Sequence, residues 1–422
     1  MDRELKRLTV IITDIHMGEG LIVDDKRNPI EYFEDDNILY TAIAGITEKH
    51  RDVPITLVLN GDIFDFFTIK YKGKVQTKPT ERVACYKILR ILKGHPLFIK
   101  GLQKFLLANK DNKIVFIIGN HDIHLVFENV VNIIKSKIAS EKKFDKNQIK
   151  EVKARISVQF TYQDEHVFCI HGNDSEPKNK TPNPLFLTDH NFQKLPKKYL
   201  NLPFGAYMTE YSSQLATGNW FCKGNYWIGR MEGHGYVFLE TLFTPRKWHF
   251  AIHAISVLLR GPLYFRFAGR WWVRKNSSLW DLLKLVFDAS FGIAYKVDGG
   301  VNYARKLMQD DPKIKTVFIG HEHCCRQIFF PEGKVIYPGN WSTTFEAHHP
   351  TVELKWRRFR WLEKIIKTIK LNFSIFNKKN REKYAPKRVN LFSFGVARFY
   401  SNGESDAEIM KFNPEKGIIE PL

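Results

Sequence analysis

Five short clusters in this chain combine carboxylate, imidazole and amide side chains. They are Asp14 with His16, Asp62 with Asp65, Asn120 with His121 and Asp122, His171, and His321 with His323. The donors are oxygen and nitrogen, with no thiolate among them. Such a set suits Mn, Fe or Zn as a reactive centre rather than a cysteine-type structural zinc site. In Asp-x-His and His-x-His the two side chains fall on one face if the backbone there is extended. Two metals about 3.5–4 Å apart need a bridging carboxylate and can share one water as hydroxide. That pair would polarise a phosphoryl group and supply a nucleophile at neutral pH.

The elements that must position these clusters are apolar runs. Residues 8–13, 53–58, 113–118, 166–170 and 316–319 read as buried strands, and each runs into one of the clusters, while 156–162 reads as a further single strand. Helical spacing covers 35–50, 126–138 and 84–108, the last broken at Pro96. Residues 139–153 are highly charged and read as a solvated loop or helix end. Alternating strands and helices predict an α/β core, whose sites lie at the carboxyl ends of strands. Further strands near 326–330, 334–338, 394–400 and 407–412 are expected to complete a second sheet. Two stretches, 175–314 and 351–390, break the pattern.

The 422 residues carry a formal net charge of +20, so an anionic partner is expected, either nucleic acid or an acidic membrane surface. The excess is concentrated. Residues 246–275 contain 7 Lys or Arg and no acid, and 351–390 contain 13 against 3, so these segments hold +17 of the +20. The five cysteines form no C-x-x-C pair, and Cys169 lies in an apolar run, which fits a reducing, cytosolic compartment. The N-terminal apolar run is too short for a signal peptide. The best spanning candidate, 250–273, carries Arg260, Arg266 and Arg270, which a bilayer core penalises. The expected location is therefore cytoplasmic, peripheral on the inner face of the cytoplasmic membrane.

The ordered series Asp-x-His, Gly-Asp-x-x-Asp, Gly-Asn-His-Asp, His-Gly and Gly-His-x-His resembles the calcineurin-like metallophosphoesterase superfamily. The wording Gly61-Asp62-Ile63-Phe64-Asp65-Phe66-Phe67 and His171-Gly172-Asn173-Asp174 is similar to UDP-2,3-diacylglucosamine hydrolases. The resemblance implies a four-layer αββα sandwich of two mixed sheets, with a large inserted cap and a basic amphipathic C-terminal insertion. Residues 1–174, 315–350 and 391–422 would form the core. It implies two divalent ions, Mn²⁺ foremost, with Fe or Zn as alternatives. Asp14, His16 and His323 would hold the first and Asn120, His171 and His321 the second, with Asp62 bridging. His121 would stabilise the transition state or protonate the leaving oxygen, with Asp122 orienting it. Asp65 would cap or orient its loop, and His124 would be structural.

The insertions would choose the substrate. Arg266, Arg270, Trp271, Trp272 and Arg274 pair aromatic rings with cations, as at a lipid headgroup layer. Leu362, Ile365, Ile366, Ile369 and Phe373 share one helical face, with Arg357, Arg360, Lys364 and Lys367 on another, the pattern of a surface-lying helix. The leading expectation is hydrolysis of a lipid-linked or nucleotide-diphosphate-linked phosphate ester by metal-bound hydroxide at the membrane surface. The alternatives are a nuclease of the DNA-repair exonuclease branch, which shares these motifs, and an inactive membrane-bound scaffold.

Overall fold

The computed structural model describes residues 3–206 with short gaps, 298–346 except 343, 387–389 and 392–422. The gaps in the first range are 29, 74–75, 77–78, 141–144, 177–178, 190–196 and 204. The expectations for Arg266, Arg270, Trp271, Trp272, Arg274 and the amphipathic face after 356 lie outside the described residues. The chain forms two compact units. One comprises Met1–Gly224, Val297–Thr343 and Asn390–Leu422, and the other Asn225–Lys296 and Thr344–Val389. In the second unit, an antiparallel pair, Thr344–Glu346 with Lys387–Val389, is described. Residues 175–224 and 297–314, assigned to an insertion from sequence, belong to the first unit.

The main strands of the first unit, in chain order, are β1 Leu5–Ile12, β2 Ile55–Asn60, β3 Lys113–Ile117, β4 Ile156–Gln159, β5 Thr161–Asp164 and β6 Val167–Ile170. They continue as β7 Thr316–Ile319, β8 Cys325–Phe330, β9 Gly333–Pro338, β10 Ser393–Tyr400, β11 Ser405–Asn413 and β12 Ile418–Pro421. The helices are α1 Asp36–Lys49, α2 Glu81–Gly94, α3 Pro96–Ala108, α4 Glu128–Ile138, α5 Lys146–Ala154 and α6 Asp298–Asp310. Seven strands form one sheet in the order β12-β11-β10-β1-β2-β3-β4, and five form the other in the order β8-β9-β7-β6-β5. β1 to β4 run parallel, as do β6, β7 and β9.

Strand periodicity explains the layering. In β1 to β3, Leu8, Val10, Leu57, Leu59, Ile114 and Phe116 point to the helices α1 to α5. Their neighbours Ile11, Val58, Val115 and Ile117 point the other way, against Cys169, Phe318 and Ile336 of the second sheet. Val317, Ile319, Val335 and Tyr337 on that sheet's outer face pack on Ala304 and Met308 of α6. A side chain alternates faces at every residue, so each strand buries both faces, and the four layers are helices, sheet, sheet and helix.

Three local expectations are corrected. The strands 393–400 and 405–413 join the first sheet rather than the second, because β10 pairs antiparallel with the free side of β1, Val10 opposite Val396. The apolar run 156–162 is two strands, β4 in one sheet and β5 in the other, with the chain crossing between sheets at Phe160. The charged stretch after 139 contains a helix, α5. Asp145 accepts from the backbone N–H groups of Asn147 and Gln148, and Gln148 accepts from the backbone of Asp145. That reciprocal cap offsets the weak apolar pattern. The break at Pro96 is observed, with α2 ending at Gly94 and α3 starting on the proline.

Candidate metal centre

Every cluster read from the sequence lies at the carboxyl end of a parallel strand of β1, β2, β3, β6 or β7. The loops after β1 and β2 run side by side. The N–H of Asp14 donates to the Gly61 carbonyl at 3.1 Å, His16 N–H to Asp62 at 2.9 Å and Met17 N–H to Ile63 at 3.0 Å. The ladder thus continues past the strands and locks the two carboxylates together. On the far side of Asp14, the Trp341 and Ser342 N–H groups donate to its carbonyl.

The ligand positions are not extended, as the same-face reading of Asp-x-His assumed. Asp14, His16, Asp62, His321 and His323 have φ of 53°, 56°, 51°, 68° and 51°. Non-glycine residues enter this left-handed region at a cost, and they persist there only when the surroundings hold them. Here hydrogen bonds hold Asp14, Asp62 and His321 in place. Asp14 accepts from the Thr13 hydroxyl at 2.5 Å and from the His321 N–H at 3.0 Å. Asp62 accepts from the His121 N–H at 2.8 Å.

The side chains converge in three overlapping groups: Asp14, His16 and His323; His16, Asp62 and His121; and Asp62, His171 and His321. In each, one ligand atom per residue lies within 4.8 Å of the others. His323 Nε2 is 3.4 Å from Asp14 Oδ1 and 3.1 Å from His16 Nε2. His171 Nε2 is 3.2 Å from both Asp62 Oδ2 and Asn120 Oδ1. The buried Asp62 carboxylate belongs to the second and third groups, and its Oδ2 lies 3.9 Å from His16 Nε2, which the first group shares, and 3.2 Å from His171 Nε2 of the third, which is the position of a bridge.

These residues fit divalent cations on their own chemistry. His171 Nδ1 faces the Asn60 carbonyl at 3.0 Å. It must donate there, so Nε2, beside Asp62, is the atom that would give up its proton to take a metal. Burial and the neighbouring His121 push His16 down to about 3, so its ring is neutral and can ligate. Burial alone would raise the Asp62 carboxyl, but the charge of His171 and the hydrogen bond to it hold it well below the usual carboxylate range. Burial lowers His171, yet Asp62 beside it lifts it to about 10. Buried carboxylates that favour positive charge so strongly make a cation site.

Glycines admit this crowding. A Cβ on Gly119 would overlap the Asp62 carboxylate and backbone, and one on Gly61 would overlap the His171 ring. The motif glycines are close-approach positions as well as turns.

The role expected of Asp122 is corrected. Its two oxygens accept from the backbone N–H groups of Gly119 at 2.6 Å and Ile63 at 2.8 Å. It ties the β2 and β3 loops together and makes no hydrogen bond to His121. The carboxylate beside His121 Nδ1 is that of Asp65, at 3.3 Å, and Asp65 also accepts from the Phe67 N–H at 3.0 Å. Burial lowers His121, but Asp65 and Asp62 outweigh it and lift the imidazole to about 9. His124 is fully buried and stacked on Phe66 at 4.4 Å, a packing role.

Comparison with known families decides the class. A family model described as calcineurin-like phosphoesterase matches residues 8–325. The chain belongs to that family. It is therefore a metal-dependent phosphoester hydrolase by class, and the convergent groups are capable of holding metal ions. A comparison with curated proteins finds no match. The matched range of this phosphoesterase ends at the start of β8, so the antiparallel strands β10 to β12 that complete its first sheet lie beyond it.

Two contributors to the site were not read from the sequence. Glu176 Oε2 lies 3.0 Å from His321 Nε2, and Asn179 Nδ2 lies 3.4 Å from the same atom. Nothing in the spacing distinguishes them from loop residues. Their position depends on the turn after β6, where Gly172 adopts φ 106°.

Proposed function

We propose that this phosphoesterase hydrolyses a lipid-linked or nucleotide-diphosphate-linked phosphate ester at an anionic membrane surface. The observation that carries the chemistry is the convergence of Asp14, His16 and His323 with Asp62, His171 and His321 around one shared carboxylate. Asp14, His16 and His323 would hold one ion, and Asn120, His171 and His321 the other, with Asp62 between them. We assign Mn²⁺ to both. Two such ions supply Lewis acidity and an activated water.

The chain's own residues do the rest. His121 stands at the edge of the cluster with its ring 4.6 Å from that of His16, nearly perpendicular to it. Asp65 behind it favours the protonated ring, so His121 can offer a proton or a charged hydrogen bond to an oxygen of the phosphoryl group. Asp122 keeps the Gly119 and Ile63 loops in register, so that Asn120 and Asp62 stay within reach of each other.

The substrate assignment is supported by charge and composition. Asn225–Lys296 carries ten Lys or Arg against four acids and Thr344–Val389 thirteen against four, a net +15 in the second unit. Arg266, Arg270, Trp271, Trp272 and Arg274 lie in this unit and would meet headgroups and phosphates. No helix among the described residues is long and apolar enough to cross a membrane, so attachment would be peripheral. The same cations and rings would suit single-stranded nucleic acid, the second reading.

A substrate panel with Mn²⁺ separates them: UDP-diacylglucosamine, other lipid phosphates and diphosphates, aryl phosphates and single-stranded DNA. Faster turnover of a lipid-linked or nucleotide diphosphate is expected. Preferential cleavage of DNA would replace this assignment with a nuclease.

A further inference from the structure

The loop that leaves β6 does more than carry His171. It turns through Gly172, and its own side chains brace it. The Ser175 hydroxyl donates to the Gly172 carbonyl at 2.7 Å, Asn173 Nδ2 donates to the Asn179 carbonyl at 2.9 Å, and Asp174 accepts from the Thr181 N–H at 2.8 Å. This bracing brings the Glu176 carboxylate to His321 Nε2 with Asn179 Nδ2 beside it, and the Asn179 amide donates to that same carboxylate.

A carboxylate only accepts, so the hydrogen between Glu176 Oε2 and His321 Nε2 belongs to the imidazole. A neutral ring protonated at Nε2 keeps its lone pair on Nδ1, and among the described residues Nδ1 has no hydrogen-bond partner. The His321 backbone is fixed from the opposite side, its N–H bonded to both oxygens of Asp14. Ring and main chain are therefore held independently.

We infer that Glu176 is a positioning residue for the second metal. It selects the His321 tautomer that leaves Nδ1 free to ligate within the group formed with Asp62 and His171. Outer carboxylates of this kind fix the orientation of a ligating histidine and raise its basicity, and losing one costs about 10- to 100-fold in metal affinity. One loop then serves two ligands of one ion: it follows His171 in the chain and braces His321 from outside. His321 groups with Asp62 and His171, whereas His16 and His323 group with Asp14, so loss of the Glu176 contact should be felt first at the second ion.

This inference rests on the two-metal reading proposed above. The test is Co²⁺ titration of the metal-stripped full chain, followed by calorimetry and visible absorption, for wild type, Glu176→Ala and Glu176→Gln. Wild type is expected to take up two ions. Glu176→Ala should keep the first affinity and lose about 10- to 100-fold in the second, with a changed absorption for the second ion. Glu176→Gln, whose amide oxygen still accepts, should lose less. An unchanged second affinity in Glu176→Ala, or equal weakening at both sites, would overturn the inference while leaving the two-metal reading intact. Fewer than two ions in wild type would overturn both.

Discussion

His121 Nδ1 lies 3.3 Å from Asp65 Oδ1, three residues past the proposed bridging carboxylate in the same loop. The two carboxylates of Gly-Asp-x-x-Asp thus divide the work: Asp62 faces the cluster and Asp65 faces the histidine. Replacing Asp65 with Asn removes the charge that favours protonated His121. The expected result is a kcat about 100-fold lower with unchanged metal content, since a placed acid contributes about 10²–10⁴-fold. Steady-state kinetics with metal analysis checks it.

Asp122→Asn should behave differently. The substitution exchanges one acceptor oxygen for an amide that cannot accept from a buried backbone N–H of Gly119 or Ile63. A loss of about 1–3 kcal/mol in unfolding free energy is expected from one unsatisfied buried donor. Urea denaturation of the two variants side by side distinguishes the roles, because Asp65→Asn should disturb turnover more than Asp122→Asn does for each unit of stability lost.

Gly119→Ala tests the close approach. Its Cβ would meet the Asp62 carboxylate and backbone, neither of which can give way without moving the bridge. A displacement of about 1 Å at a reacting centre costs on the order of 100-fold, so kcat should fall by at least that. Near-normal turnover in this variant would show that the glycine serves only as a turn.

A pH dependence of stability should come from outside the site. His95 is buried between Asp36 and Glu31, with Nδ1 2.8 Å from Asp36 Oδ2 and Nε2 3.6 Å from Glu31 Oε1. Burial lowers it, but bonding to the two carboxylates lifts it to about 9. The folded value is above the unfolded one, so the folded state binds more protons between them. The stabilisation is complete below about pH 6.5 and is lost as pH rises through about 9. It is on the order of 3 kcal/mol at low pH. His95→Gln should flatten this part of the stability profile. Glu31 also accepts from the N–H groups of Gly18 and Gly20, so the segment just after His16 should loosen over the same pH range in wild type.

Membrane attachment is tested with vesicles. The full chain should sediment with vesicles containing anionic lipid at low salt and release as salt shortens the Debye length to a few ångströms, about 3 Å at 1 M. Absence of binding at low salt would remove the membrane surface from the proposed function and leave the metal chemistry untouched.

How much of this was legible follows from what each feature depends on. The parallel strands β1, β2, β3, β6 and β7 are short apolar runs ending in polar ligands, and both signals are local. The placement of β10 beside β1 is not local: nothing within Ser393–Tyr400 says which sheet has a free edge. The α5 helix is weakly patterned and owes its start to the Asp145 cap, a two-residue signal inside a charged run. Asp122 and Asp65 have equal standing in a list of acids. The folded loops separate them: both oxygens of Asp122 are taken by the Gly119 and Ile63 N–H groups, and Asp65 lies beside His121 Nδ1. Glu176 is visible only once the loop after Gly172 has closed on His321.

The most direct test of the account is a Mn²⁺ titration of the metal-stripped chain, with hydrolysis of an aryl phosphate followed in parallel for wild type and Asp62→Asn. The account predicts activity that rises with the binding of two Mn²⁺ per chain. Asp62→Asn should bind less than the full pair and lose at least about 100-fold in kcat, because both ions lean on one carboxylate. Full hydrolysis without metal, or undiminished hydrolysis in Asp62→Asn, would contradict it.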